Sequence, residues 1–338
     1  MTGHVLALMD KFRGTISAAG AADAVAAGVV DAGGTAEAIP VADGGEGLLD
    51  VLGGPNRTTT VTGPLGVEVA AGWRLDGRTA VIEMARASGL VLAGGPERND
   101  PMTATTAGVG QLVSAALDAG AKRIVVGLGG SATTDGGLGA LGAIRTPGRL
   151  RGVELIVACD VATRFVDAAR EFGPQKGATR AQVELLTRRL ERLAETYRIE
   201  RGCDVTGVPG AGAAGGLAGG LLTVGGRLIG GFELVADELG LAERVEAADL
   251  VVTGEGTLDE HSFDGKVVGG VCELAERAGC PVVVIAGRVA TGTRAPAGVE
   301  VVSLVERFGE NAAVHETAGC LRLAAATVVG ERGGWVRP

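Results

Sequence analysis

Short runs of β-branched and other apolar residues, each closed by turn residues, recur along the chain. They fall at residues 4–9, 37–41, 79–83, 123–128, 154–159, 249–253, 281–286 and 299–304. Almost unbroken apolarity in such runs suits strands buried on both faces of a parallel sheet. Between several of them the hydrophobic period changes to that of a helix. Residues 17–30 open on Ser17, a favourable N-cap type. Residues 108–119 carry Val109, Leu112, Val113, Ala116 and Leu117 on one face, and residues 180–197 do the same with Val183, Leu186, Leu190 and Leu193. Alternating strands and helices predict an α/β architecture.

Two regions break the alternation. Residues 58–75 read as two neighbouring strands around GPLG, a hairpin or meander. Residues 146–240 mix one strand, the long helix and a very Gly-rich stretch. A length of 338 residues also exceeds one ordinary core. The expectation is a doubly wound, flavodoxin-like parallel-sheet domain built from residues 1–55, 110–145 and 241–338. A second α/β domain, 56–109 with 146–240, is inserted in it, and the active site falls in the cleft. No internal repeat or disordered linker stands out.

Composition narrows the function. No apolar run approaches the length of a membrane span, and the opening MTGHVLALMDKF lacks the basic and long apolar regions of a signal peptide. The five cysteines are scattered without CxxC pairing and the three histidines are far apart, which predicts reduced thiols in the cytoplasm and no zinc site. A net charge of −9 argues against nucleic acid as a partner but leaves anionic small substrates open. The 59 glycines cluster at the ends of apolar runs, a distribution that suggests pockets lined by bare backbone.

The chemistry sits in loops after the strand-like runs. GLGGSATTDGG (127–137) combines exposed backbone, hydroxyls and Asp135, a mixture suited to a phosphate and a cation. LMDKFRGTISA carries Asp10, Lys11 and Arg13. PVADGGEG carries Asp43 and Glu46, VACDV ends on Asp160, and VVTGEGTLDEHSFDGK carries Glu255, Asp259 and Lys266. In an open α/β fold such loops converge, and several carboxylates with a few cations suit Mg²⁺-assisted phosphoryl transfer. Two other readings stay open on residues alone. Residues 127–132 match G-x-G-x-x-A, with Glu154 near the ribose-acid spacing of a nicotinamide-dependent dehydrogenase, although TTDGGLG is a poor helix opening. Cys159 beside Asp160 is either a nucleophile or, more often for such a cysteine, core. No P-loop signature, G-x-S-x-G or H-E-x-x-H occurs.

Taken together, DKFRGTISA (10–18), PVADGGEG (40–47), VTGPLG (61–66), IEMARASGL (82–90), GLGGSATTDGG, VACDV (157–161), FGPQKGAT (172–179), VPGAGAAGGL (208–217) and DLVVTGEGTLD (249–259) resemble the two-domain, class I bacterial glycerate kinases. The resemblance implies ATP-dependent, Mg²⁺-requiring phosphorylation of D-glycerate or a related small hydroxy acid, typically at the 2-hydroxyl. It implies catalytic roles for Asp43, Asp160, Arg13 and Asp135, with Asp43 and Asp135 also on the metal. Nucleotide contacts fall to Gly129, Gly130, Ser131, Thr133, Gly210, Gly212, Gly254, Glu255 and Lys266, and substrate contacts to Asp10, Arg13, Glu46 and Lys176. A homodimer is compatible with it. The chain departs from the family at Arg13 (usually Lys), Thr134 (often Asn), and His261 and Ser262 (usually Gln and Thr). It also has a shortened stretch after the DGG loop, and VATRFVDAAREFGPQKG follows CDV. A member of the family that binds a metabolite without turning it over is the rival from another class.

Overall fold

A computed structural model describes residues 3–12 and 14–331. The chain divides into two compact units, one made of residues up to 43 with those from 232 onward, the other of Gly44–Gly231. In chain order the strands are β1 (His4–Met9) and β2 (Thr35–Pro40) in the first unit. The second unit holds β3 (Arg57–Thr62), β4 (Glu68–Asp76), β5 (Thr79–Glu83), β6 (Arg123–Gly127), β7 (Glu154–Ala158) and β8 (Arg227–Ile229). The first unit resumes with β9 (Leu250–Gly254), β10 (Thr257–Leu258), β11 (Val282–Ala286), β12 (Arg288–Val289) and β13 (Glu300–Ser303).

The first unit is built on an all-parallel sheet in the order β13-β11-β9-β1-β2. Counted within the unit this is the 2-1-3-4-5 order of flavodoxin-like folds, as expected. Its inner strands carry Val5, Ala7, Leu250, Val252, Val283 and Ile285 into a core covered by the helices Ala18–Asp31 and Thr317–Glu331. Ser17 caps the first of these, accepting from the Gly20 N–H at 3.1 Å. At Gly28 the two helices meet so closely that a Cβ would collide with the Arg322 carbonyl.

The second unit holds a mixed sheet in the order β3-β4-β5-β6-β7-β8. β3, β4 and β5 are antiparallel neighbours, the hairpin expected around GPLG, and β5 to β8 are parallel. The expected division of the chain needs correcting here. Residues 110–145 were assigned to the flavodoxin-like domain, but β6 is hydrogen-bonded between β5 and β7, which fixes that segment in the second unit. The insertion is therefore one continuous piece. The long helix Arg180–Arg201 begins at a capping box in which Thr179 and Gln182 satisfy each other's backbone N–H groups. Among the described residues no helix is long and apolar enough to cross a membrane.

Candidate active site

Strand order in the first unit reverses between β1 and β9, and ligands of open α/β sheets bind beyond the carboxyl ends of the strands at such a point. Asp10 directly follows β1 and Glu255 directly follows β9. The Asp10 N–H donates to the Gly254 carbonyl at 3.0 Å, and the Val41 N–H donates to the Met9 carbonyl at 3.0 Å, which brings the segment leading to Asp43 alongside. Lys11 Nζ lies 3.7 Å from Asp10 Oδ1 and 3.9 Å from Asp43 Oδ1. These groups line a cavity of about 400 Å³ with Glu255 and with Lys266, the residue before the helix Val267–Ala278. Phe12, Val267, Val305 and Val314 give the same cavity an apolar part.

Glu255 is set apart there by its burial. Its Oε1 is buried with no hydrogen-bond partner. Burial pushes the carboxyl above the usual range and Asp10 adds to this, while the Ser262 hydroxyl and the Lys266 ammonium oppose it. A ligand hydroxyl or a cation would satisfy such an oxygen. Gly254, expected at the phosphates, is also a close-packing position. It ends β9 where a Cβ would collide with the Ile285 carbonyl of β11. Arg13 lies outside the described residues.

In the second unit the expected residues form three groups. Glu46 faces the start of the long glycine loop. A Cβ on Gly129 would lie 2.7 Å from the Gly45 Cα, and one on Gly130, whose φ is +61°, would collide with the Glu46 carboxylate. Behind this, the buried Glu83 at the end of β5 accepts from the Gly47 and Leu49 N–H groups at 3.2 and 3.3 Å. Burial pushes its carboxyl up against the pull of Arg86. Residues 130–132, Ser131 among them, then pair with residues 88–90: the Leu90 N–H donates to the Gly130 carbonyl and the Ala132 N–H to the Ser88 carbonyl. The next helix begins only at Leu138. A dinucleotide fingerprint opens its helix at once, so the dehydrogenase reading loses its loop.

The second group surrounds Asp135. Its carboxylate accepts from the Thr106 N–H at 2.9 Å, the Thr106 hydroxyl at 2.8 Å, and the Gly137 and Gly139 N–H groups at 3.1 Å. Those bonds account for most of the acceptor capacity of a carboxylate. Asp135, expected on the metal and in catalysis, also clamps these loop segments together. Lys176 is only 3% exposed, and its ammonium donates to the Thr133 carbonyl at 2.7 Å. Burial pushes it down to about 7, and the Asp135 charge opposes the shift. It therefore touches the loop and not open solvent, where a substrate contact was expected. The Thr133 and Thr134 hydroxyls and Asn99 Oδ1 are buried without partners.

The third group is the second glycine loop. Residues 214–216 are consecutively left-handed, with φ of +53°, +67° and +89°. The Gly136 N–H donates to the Gly215 carbonyl at 3.0 Å, and a Cβ on Gly215 would collide with the Thr133 carbonyl. Gly212 is pressed against the Arg164 carbonyl, and Gly210, at φ +84°, lies beside that of Val161. The two glycine loops thus meet backbone to backbone. Asp160 Oδ1 accepts from the Gly231 N–H at 2.6 Å. Its neighbour Cys159 is buried and pushed up to about 11, an inert thiol.

Glu83 and Asn99 were not singled out from sequence, and Lys11 was named with its loop but given no role. Lys11 was legible beside Asp10, and Glu83 as an acid ending an apolar run. Nothing in the local sequence marks Asn99, whose amide donates to the Ala132 and Lys176 carbonyls.

Carboxylates and lysines gathered at the switch point of a flavodoxin-like sheet define an α/β enzyme of charged small-molecule chemistry. Comparison with known proteins fixes the family. The model of the glycerate kinase family matches residues 5–148 and 144–331. The glycerate 2-kinase of Escherichia coli K12 is 40% identical over 318 residues, covering 82% of this chain and 83% of that protein. An uncharacterised protein of Mycobacterium bovis is 42% identical over 340 residues, covering 96% and 87%. A crystal structure assigned as glycerate kinase 2 from Salmonella typhimurium LT2 superposes with a TM-score of 0.81 at 33% identity, over 98% of both chains. The chain belongs to the glycerate kinase family and is an enzyme of that family.

Proposed function

We propose that this kinase transfers the γ-phosphoryl group of Mg·ATP to the 2-hydroxyl of D-glycerate or a closely related small hydroxy acid, in the cytoplasm. The carrying observation is the switch-point cavity, where Asp10, Asp43 and Glu255 stand with Lys11 and Lys266. Among the described residues no three His, Cys, Asp or Glu side chains are placed to hold a metal by themselves. Mg²⁺ in phosphoryl-transfer sites takes one or two carboxylates and completes its shell with phosphate and water oxygens, a demand that Asp10 and Asp43 fit. When bound, the ion would neutralise charge on the transferred group. Lys11 and Lys266 answer phosphate charge, and Glu255 Oε1 accepts from a ligand hydroxyl. Arg13 keeps the anion contact that the family likeness suggests. In the second unit Glu46 and Asp160 remain candidates for substrate contacts. Lys176 and Asp135 act as positioning residues that hold the loop around Thr133.

Following ADP release over D-glycerate and other small hydroxy acids tests this, with the phosphorylated carbon assigned by NMR. Turnover with D-glycerate and Mg·ATP, giving 2-phosphoglycerate, is the expected result. Binding of glycerate without turnover would instead make the chain a metabolite-binding member of its family.

A further inference from the structure

The second unit contains a cavity of about 390 Å³ that the phosphoryl-transfer reading does not use. One wall is a face of the long helix Arg180–Arg201, from which Arg189, Leu190, Arg192, Leu193 and Thr196 project at helical spacing. Met102 and Leu138 add to its apolar floor, and Leu138 is 57% exposed although it is a large hydrophobic residue. The volume is that of a small-molecule site.

Its polar groups are few and incompletely satisfied. On the same helix Arg180 pairs with Glu184 at 3.9 Å and Arg198 with Glu195 at 2.5 Å, while Arg188 donates to the Glu184 carbonyl at 3.3 Å. The Arg189 guanidinium instead donates to the Met102 carbonyl at 2.9 Å. Neither it nor Arg192 has a carboxylate partner among the described residues. The Thr134 hydroxyl, in a residue only 2% exposed that lines the cavity, is buried without a partner. The one acid in the lining, Asp135, is turned to its backbone and Thr106 donors.

We infer that this cavity of the second unit is a binding site for a small organic carboxylate with a hydrocarbon body, one that shares no lining residue with the switch-point cavity. The hydrocarbon rests on Met102, Leu138, Leu190 and Leu193, and the carboxylate meets the two guanidinium groups as charge-assisted hydrogen bonds. Thr134 and Asp135 of the glycine loop both line the cavity.

Calorimetry with octanoate, and with octanol and octylamine as probes of the same body, tests the site in the full-length protein. Octanoate is expected to bind about tenfold or more tighter than either, the scale of one charge-assisted contact. The Arg189→Ala/Arg192→Ala double variant should lose that advantage while its circular dichroism and thermal midpoint stay near those of the parent. Bound octanoate should persist under saturating D-glycerate and Mg·ADP. Equal binding of octanol, undiminished binding by a folded double variant, or displacement by glycerate would each overturn the inference. A Leu138→Ser variant gives a second handle, because losing the apolar floor should weaken octanoate and octanol alike. Unchanged binding of both would also overturn it.

Discussion

The two units use acids and glycines in opposite ways. In the first, charged side chains at strand ends face a cavity, and the buried Glu255 Oε1 among them is left without a partner. In the second, the glycine positions are packed by the protein itself: Gly215 faces the Thr133 carbonyl, Gly130 faces Glu46, and the Asp135 carboxylate is bonded on both oxygens, although the Thr133 and Thr134 hydroxyls stay unpartnered. Both look alike in sequence, as small residues and an acid after an apolar run. A missing Cβ shows only that something approaches the backbone closely. Whether that neighbour is a ligand or another loop is a tertiary fact.

The largest expected effect of breaking this contrast is on stability, at the junction of the two glycine loops. Gly215→Val forces a β-branched residue into a left-handed position against the Thr133 backbone. It should cost about 3 kcal/mol or more in urea unfolding. Gly207→Val, where nothing lies within 4 Å, should cost far less. Equal losses at both positions would remove the packing explanation.

Next in size is a kinetic effect in the first unit. Lys266→Met removes an ammonium from the cavity and should lower kcat/KM about tenfold to hundredfold. Its unfolding midpoint should stay near that of the parent, because Lys266 is only half-buried. A large loss of stability with normal kinetics would make Lys266 a packing residue.

The smallest effect concerns Glu255. Its carboxyl is held above the ordinary value in the fold, so the folded state keeps a proton that the unfolded chain releases. The associated stability is complete below the ordinary glutamate value and is lost as pH rises through the folded value. Glu255→Gln, which cannot ionise, should therefore unfold at a higher temperature than the parent at neutral and alkaline pH. The difference should shrink towards acid pH, and turnover should fall. A thermal midpoint lowered equally at every pH would contradict the burial of that charge.

Much of the first unit was legible. The apolar runs at β1, β9 and β11 stand out because both faces of a parallel strand are buried, and their following residues Asp10 and Glu255 came with them. Helices such as Ala213–Leu222 and Thr317–Glu331 were not predicted. The first contains four glycines among its ten residues and begins with a left-handed turn that only packing against residues 133–137 explains. The second is apolar nearly all round, so no stripe marks it. The division of the chain went wrong at β6 for a related reason. A buried strand reads the same whichever sheet receives it, and only its pairing with β5 and β7 decides. Lys176 was expected to contact substrate, and its burial under Thr133 has no local signal in FGPQKGAT.

Turnover measured against Mg²⁺ concentration, in Asp43→Asn and Asp135→Asn side by side, tests the division of labour between the two acids most directly. Asp43→Asn should remain folded, lose about a hundredfold in kcat, the scale of one preorganised electrostatic contact, and need more Mg²⁺. Asp135→Asn should lose about 1–3 kcal/mol of stability, because an amide N–H₂ would face backbone N–H groups, while its folded fraction keeps the parental Mg²⁺ dependence. A folded, stable Asp135→Asn enzyme with a raised Mg²⁺ requirement, beside an Asp43→Asn enzyme with normal turnover, would contradict the assignment of the metal to the first unit.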